Sequence, residues 1–134
     1  MQNRRATFLI VDEDDLDAEA LIDGRRVGYA WCVREGERLK VSDLHVDDGH
    51  RHQGIGGRLL RIVLAAVDAA NVREVWGIVT ADDLARWPEL LDWYRRHGFH
   101  VTDPDEDGED VPGAVKKIVR GGSVNNAQEP ATGD

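Results

Sequence analysis

The chain has one cysteine, Cys32, in 134 residues. A single thiol excludes an intramolecular disulfide framework and any metal site made of cysteines alone, and it fits a reducing compartment. No apolar run approaches the ~18 residues that a membrane span requires. The apolar stretch of "MQNRRATFLIV" is cut off at once by "DEDD", so it does not read as a signal peptide. Cations are scarce as well: 17 Lys and Arg stand against 26 Asp and Glu, a net charge of −9. That balance repels a nucleic-acid backbone, and no basic run marks a phosphate track. The expectations are a cytoplasmic location, no membrane and no nucleic-acid partner, and a neutral or cationic ligand.

The composition, 41% hydrophobic and 32% charged, is that of a globular protein, and the length suits one compact domain with a single core. "TFLIV", "EALI", "VGYAWCV" and "LKVSDLHV" have the β-branched and aromatic content of strands and are separated by short polar breaks. Asp23-Gly24 and Glu35-Gly36-Glu37 have the composition of hairpin turns, which makes residues 7–46 an antiparallel meander. After Gly57 the period changes. Leu59, Leu60, Val63, Leu64, Val67 and Ala70 recur every three or four residues, with Arg58, Arg61 and Asp68 on the other side, which predicts an amphipathic helix ending near Asn71.

"REVWGIVT" is then a strand, joined in parallel to "LKVSDLHV" by a right-handed crossover. Thr80 and Asp83 have capping-box spacing, and a helix over 88–97 is closed by Gly98. "FHVT" and "AVKKIVR" form a last antiparallel pair around the acidic loop "DPDEDGED". From Gly121 onward almost nothing is apolar, which predicts a disordered tail over 121–134.

The stretch "HRHQGIGGRLL" places three glycines where a helix begins. A helix start leaves N–H groups without intrahelical partners and carries the positive end of the macrodipole, so it attracts anions. Gly54, Gly56 and Gly57 remove side chains that would hold a phosphate away, and Arg51 adds a positive charge. A Walker loop is excluded by the missing Gly-Lys-Ser/Thr ending. The dinucleotide fingerprint is excluded because the spacing is R-x-x-G-x-G and follows an antiparallel meander.

In "LHVDDGHRHQGIGGRLL" the residues Leu44, Val46, Arg51, Gly54 and Gly56 match an L-x-V strand leading into R-x-x-G-x-G/A. Downstream, Tyr94, Gly98 and Phe99 in "WYRRHGF" match a helix-end pattern of Tyr, three residues and Gly-Phe. In this order, with a strand between them, the two motifs resemble the GNAT superfamily of acyl-CoA-dependent N-acyltransferases over about residues 7–120. The resemblance implies a GNAT-like mixed, mostly antiparallel α/β sheet flanked by helices, forming one acetyltransferase domain over 1–120. "DEDDLDAEA" is too short to hold the family's N-terminal helices, so that region is reduced or missing and the amine acceptor is not specified.

The same resemblance implies acetyl-CoA as co-substrate and roles for individual residues. The backbone of Arg51, His52, Gln53, Gly54, Ile55, Gly56 and Gly57 holds the pyrophosphate of coenzyme A. The backbone at Leu44 to Val46 meets the acetyl carbonyl, and Tyr94 protonates the departing thiolate. Asp48 replaces a frequent proline, His52 a frequent glycine, and Trp87 a frequent asparagine, and none of these removes a backbone amide. A small-molecule or peptide amine is the expected acceptor, and a homodimer fits the family pattern.

Asp43 and His45 share a strand face, and either can take a proton from an ammonium. Tyr94 also reads as an ordinary half-buried aromatic and Cys32 as a small buried hydrophobe. His45, His50 and His52 have no closed-site zinc spacing. Asp103, Asp105, Asp107 and Gly108 open like a calcium loop, but its twelfth position is Ala114, and the loop reads as solvated. No metal is expected. With no activated nucleophile evident, the expected chemistry is direct transfer of acetyl to a primary amine. The alternative is a non-catalytic module on the same fold that binds acyl-CoA or a protein.

Overall fold

The computed structural model describes residues 5–121. They form two compact units, the first reaching Val72 and the second starting at Arg73. The first contains the predicted meander: β1 (Thr7–Asp12), β2 (Asp17–Ile22), β3 (Arg25–Glu35) and β4 (Arg38–Val46), each antiparallel to the next. Asp23 and Gly24 take φ of 54° and 78°, the two positive values that a primed two-residue turn requires. The second hairpin is shorter than predicted. Glu35 ends β3, and Gly36 (φ 64°) and Glu37 make the turn.

One face of the first unit packs against α1 (Ile55–Ala66), which buries Ile55, Leu59, Leu60 and Val63. The sheet residues buried on that side include Ala18, Ala20 and Ala30, whose short side chains admit a helix closely. Gly28 is the extreme case. A Cβ there would lie 2.9 Å from the His45 carbonyl oxygen and 3.2 Å from Leu59 Cδ1.

The helix begins at Ile55, ahead of the apolar period that starts after Gly57, and ends at Ala66 rather than near Asn71. The chain continues as turns to Asn71, whose φ is 62°. There the Val72 N–H donates to the Val67 carbonyl (2.9 Å) and the Asn71 N–H to the Asp68 carbonyl (3.2 Å), a Schellman closure with buried Val67 and Val72 at its ends. The apolar period therefore runs on past the last regular helical turn. Arg34 Nη2 donates to the Ala70 carbonyl at 2.5 Å and ties this turn to β3.

Near the start of β2, side chains extend the ladder. Asp17 accepts from the Cys32 N–H at 2.7 Å, and Asp15 accepts from the Arg34 N–H at 3.0 Å. Burial pushes the Asp17 carboxyl above its ordinary 3.8, against the lowering effect of the Cys32 N–H. The folded protein thus holds this proton to higher pH than the unfolded chain. The associated stability is present below 3.8 and is lost as pH rises through the folded value. Asp17→Asn keeps an acceptor without the charge, so its Tm at neutral pH should equal or exceed the native one, with the gap closing in acid. Asp17→Ala leaves the Cys32 N–H without this acceptor and should cost about 1–3 kcal/mol in a denaturant titration.

The second unit contains β5 (Glu74–Thr80), α2 (Ala81–Arg86), α3 (Leu90–Arg96), β6 (His100–Thr102) and β7 (Ala114–Gly121). β7 lies between β5 and β6 and is antiparallel to both. The capping box is present: Thr80 Oγ1 accepts from the Asp83 N–H, and Asp83 accepts from the Thr80 N–H. The helix expected over 88–97 is shorter, because Pro88 and Glu89 lie in a turn closed by the Leu90 N–H on the Trp87 carbonyl. Gly98 (φ 92°) ends α3 in a second Schellman closure, the Phe99 N–H on Tyr94 and the Gly98 N–H on Arg95.

The acidic loop is anchored, not merely solvated. Asp103 pairs with Lys116 at 2.9 Å, and Asp105 pairs with Lys117 at 3.1 Å. The Lys117 ammonium, itself buried, lies 5.1 Å from the centre of the Trp76 ring. Gly121, expected in the tail, ends β7, and residues 122–134 lie outside the described residues.

Among the described residues, the seven strands and three α-helices make up the mixed, mostly antiparallel α/β class that the GNAT resemblance implies. Among the described residues no helix is long and apolar enough to cross a membrane.

Candidate functional site

Gly54 is the N-cap of α1, with φ 81° and ψ 7°. Nothing lies within 4 Å of where its Cβ would be, so glycine is required here by conformation and not by crowding. No side chain caps the helix, and its first turn contains no acid. Ile55, Gly56 and Gly57 occupy the first three helical positions, whose N–H groups have no intrahelical acceptor, and the ladder begins with the Arg58 N–H on Gly54. The Ile55 side chain is in the core, so only its backbone can serve a ligand. Gln53 and His52 are exposed in the preceding loop, where His52 takes φ 64°. Arg51 lies across the base of this loop, donating from Nε to the Val46 carbonyl (3.1 Å) and pairing with Asp48 (3.3 Å).

Two β-bulges decide which strand residues share a face. Ala20 pairs with Gly28 and Leu21 with Arg26, so Val27 is left over. Cys32 pairs with Val41 and Trp31 with Asp43, so Ser42 is left over. Each extra residue inverts the alternation beyond it. Leu44 and Val46 therefore sit opposite Ala30 and Gly28 on the α1 side, while Asp43 and His45 sit opposite Trp31 and Tyr29 on the other face. The expected pairing of Asp43 with His45 on one face holds by simple alternation, and the bulge decides that this face is the one opposite α1.

These residues form a connected row. Tyr29 donates its hydroxyl proton to Asp43 at 3.1 Å, and its ring stacks on His45 with centroids 5.2 Å apart. His45 Nε2 lies 3.1 Å from Asp47 Oδ1. In the neutral ring this contact places the N–H toward Asp47 and leaves Nδ1 as an acceptor. Desolvation and the Asp43 hydrogen bond push the Tyr29 phenol up, so it remains the donor at neutral pH. Tyr29 was not among the residues singled out from the sequence. Only its odd-numbered spacing with Trp31 signals a shared face.

Tyr94, on α3 in the second unit, is buried, with its ring edge-to-face on Phe99 at 5.3 Å. These two residues are the apolar pair of the Schellman closure, so the Tyr-x-x-x-Gly-Phe pattern has a structural basis of its own. Cys32 is buried, and burial together with Asp17 and Asp15 pushes its thiol up to about 12, which makes it an inert packing residue. Among the described residues no cluster of three or more His, Cys, Asp or Glu could hold a metal ion.

The family model for the acetyltransferase (GNAT) domain matches residues 4–101, from the beginning of β1 into β6. The chain belongs to the GNAT acetyltransferase family. Solved structures share its fold. The PaiA N-acetyltransferase of Thermoplasma acidophilum, crystallised with coenzyme A, is 18% identical with a TM-score of 0.64. The match covers 79% of this chain and 60% of that one, so this GNAT chain spans less than two thirds of its length. The diaminobutyrate acetyltransferase EctA of Paenibacillus lautus, in complex with its substrate and coenzyme A, is 23% identical over 81% of this chain and 70% of that one (TM-score 0.59). Arabidopsis thaliana Naa50, bound to a bisubstrate analogue of coenzyme A and a peptide, is 22% identical over 79% and 72% (TM-score 0.63).

Proposed function

We propose that the protein transfers an acetyl group from acetyl-CoA to the nitrogen of a primary amine by direct attack. The observation that carries this reading is the N-terminus of α1. It has a glycine cap without a side chain, no competing acid in its first turn, and free positions at Ile55, Gly56 and Gly57. Such an end suits a pyrophosphate, which is the part of coenzyme A that the matching family motif would place there.

In the proposed reaction the acceptor's ammonium loses a proton to His45 or Asp43, the lone pair of the resulting amine attacks the thioester carbon, and the C–N bond forms. A backbone N–H in the Leu44 to Val46 segment stabilises the oxyanion. The C–S bond then breaks as the nitrogen gives up its remaining extra proton, and the thiolate takes a proton from Tyr94, which the proton released by the nitrogen restores. His45 with Asp47 behind it has the geometry of an oriented base, whereas Asp43 already accepts a proton from Tyr29. The second reading, a non-catalytic acyl-CoA module, is favoured by the packing of Tyr94, which accounts for that residue without chemistry.

Thermal unfolding with and without acetyl-CoA tests the common part of both readings. At ~100 times its Kd, a ligand bound only by the folded state adds about 2.7 kcal/mol, an upward shift of several degrees. No shift would refute coenzyme A binding. Given a shift, thiol release in the presence of amines separates the enzyme from the module.

A further inference from the structure

On the face of the first unit opposite α1, Tyr29 and Trp31 stack with centroids 4.5 Å apart and planes inclined by 18°, making a flat aromatic platform. The Val27 bulge turns Arg26 onto this face. Its guanidinium lies 4.9 Å from the centre of the Tyr29 ring and 5.4 Å from that of Trp31, and Nη1 reaches Glu19 at 3.4 Å. Tyr29 also touches Asp43 and His45. The face therefore already solves a recognition problem for a cation: a π surface beneath it, a carboxylate at its edge and the base candidates alongside. The occupant is the chain's own Arg26, which is half-exposed and held by the Glu19 ion pair and the two rings, so a ligand of the same chemistry can displace it.

We propose that the Tyr29–Trp31 platform with Glu19 is a subsite for the second cationic group of the acceptor, which makes the preferred substrate an amine bearing a guanidinium or a further ammonium, with Arg26 as the internal competitor. This rests on the acetyl-transfer reading above. Asp43 faces Trp31 directly across the strand pair, so the reacting nitrogen and the second cation are separated by a few bonds in an extended chain. The net charge of −9 favours the approach of such a ligand.

The test compares agmatine, an amine with a guanidinium at its far end, with butylamine, which lacks it, by the ratio of their kcat/KM in thiol release. The native protein should prefer agmatine about tenfold or more, the range that one partly desolvated cation–π contact supplies. Trp31→Leu and Glu19→Gln should each lower the ratio, and Arg26→Gln should raise it by removing the competitor. A ratio near one, or a preference that none of the three variants alters, overturns the proposal. So does a native dimer that Trp31→Leu dissociates in sedimentation velocity without changing the ratio, because the face would then bind a second copy of the chain. If neither amine is acetylated, thermal unfolding decides. Agmatine raising the native Tm more than butylamine does, with the difference lost in Trp31→Leu, supports the subsite while the transferase reading fails. Equal effects overturn the subsite.

Discussion

Tyr94→Phe is expected to lower kcat by about a hundredfold or more, the scale of a lost general acid. The acetyl-CoA thermal shift should remain intact. The substitution isolates chemistry because of how Tyr94 is packed. Phenylalanine retains the ring that meets Phe99 edge-to-face at 5.3 Å, so the Schellman closure of α3 survives. Stability should change by no more than about 1 kcal/mol, the net contribution of one hydroxyl hydrogen bond. Tyr94→Ala also removes the ring and should cost about 3–5 kcal/mol. Denaturant titration and steady-state kinetics on both variants separate the two roles. An undiminished kcat in Tyr94→Phe would assign the residue to packing alone and leave the thiolate to be protonated by water.

Gly28→Ala is expected to be the most damaging single methyl in the first unit. The added Cβ would lie 2.9 Å from the His45 carbonyl oxygen and 3.2 Å from Leu59 Cδ1, with Ile55 Cγ2 next at 3.4 Å. A backbone oxygen cannot rotate away, so either β4 or α1 must shift. Overpacking of this kind costs about 1–3 kcal/mol, which lowers the Tm by roughly 4–12 °C in a domain of this size. Because the strained carbonyl belongs to His45, kcat/KM should fall as well. Gly49→Ala is the control. It has no positive φ and no neighbour within 4 Å, and its stability should stay within about 0.5 kcal/mol of native. A native-like Gly28→Ala would show that α1 can retreat from the sheet at little cost.

The sequence was most legible where local chemistry decides structure. Asp23-Gly24 turned the chain, Thr80 and Asp83 capped α2, and the apolar period of α1 named Leu59, Leu60 and Val63 of its buried residues but not Ile55. It was less legible where turns imitate helix. Val67 to Asn71 keep the helical period outside the regular helix, because a Schellman closure needs an apolar residue on each side of its left-handed position. The glycine loop was visible as a motif because a positive φ at Gly54 and an uncapped helix start leave a compositional trace. The Tyr29, Trp31 and Arg26 cluster left only the i, i+2 spacing of its two aromatic residues. Its members are brought together by strand pairing and a bulge, and both depend on contacts between strands.

The Ser42 bulge gives β4 one residue more than plain alternation needs. Without position 42, Val41 would still lie opposite Cys32 and Asp43 opposite Trp31, and each side of the strand would keep its residues. Beyond the bulge there is no such slack. Losing position 44 would set His45 opposite Ala30 on the α1 side and Val46 opposite Tyr29, burying a polar group and leaving an aliphatic one in water. The bulge therefore marks the one place where this strand can shorten without exchanging the inside of the protein for its outside.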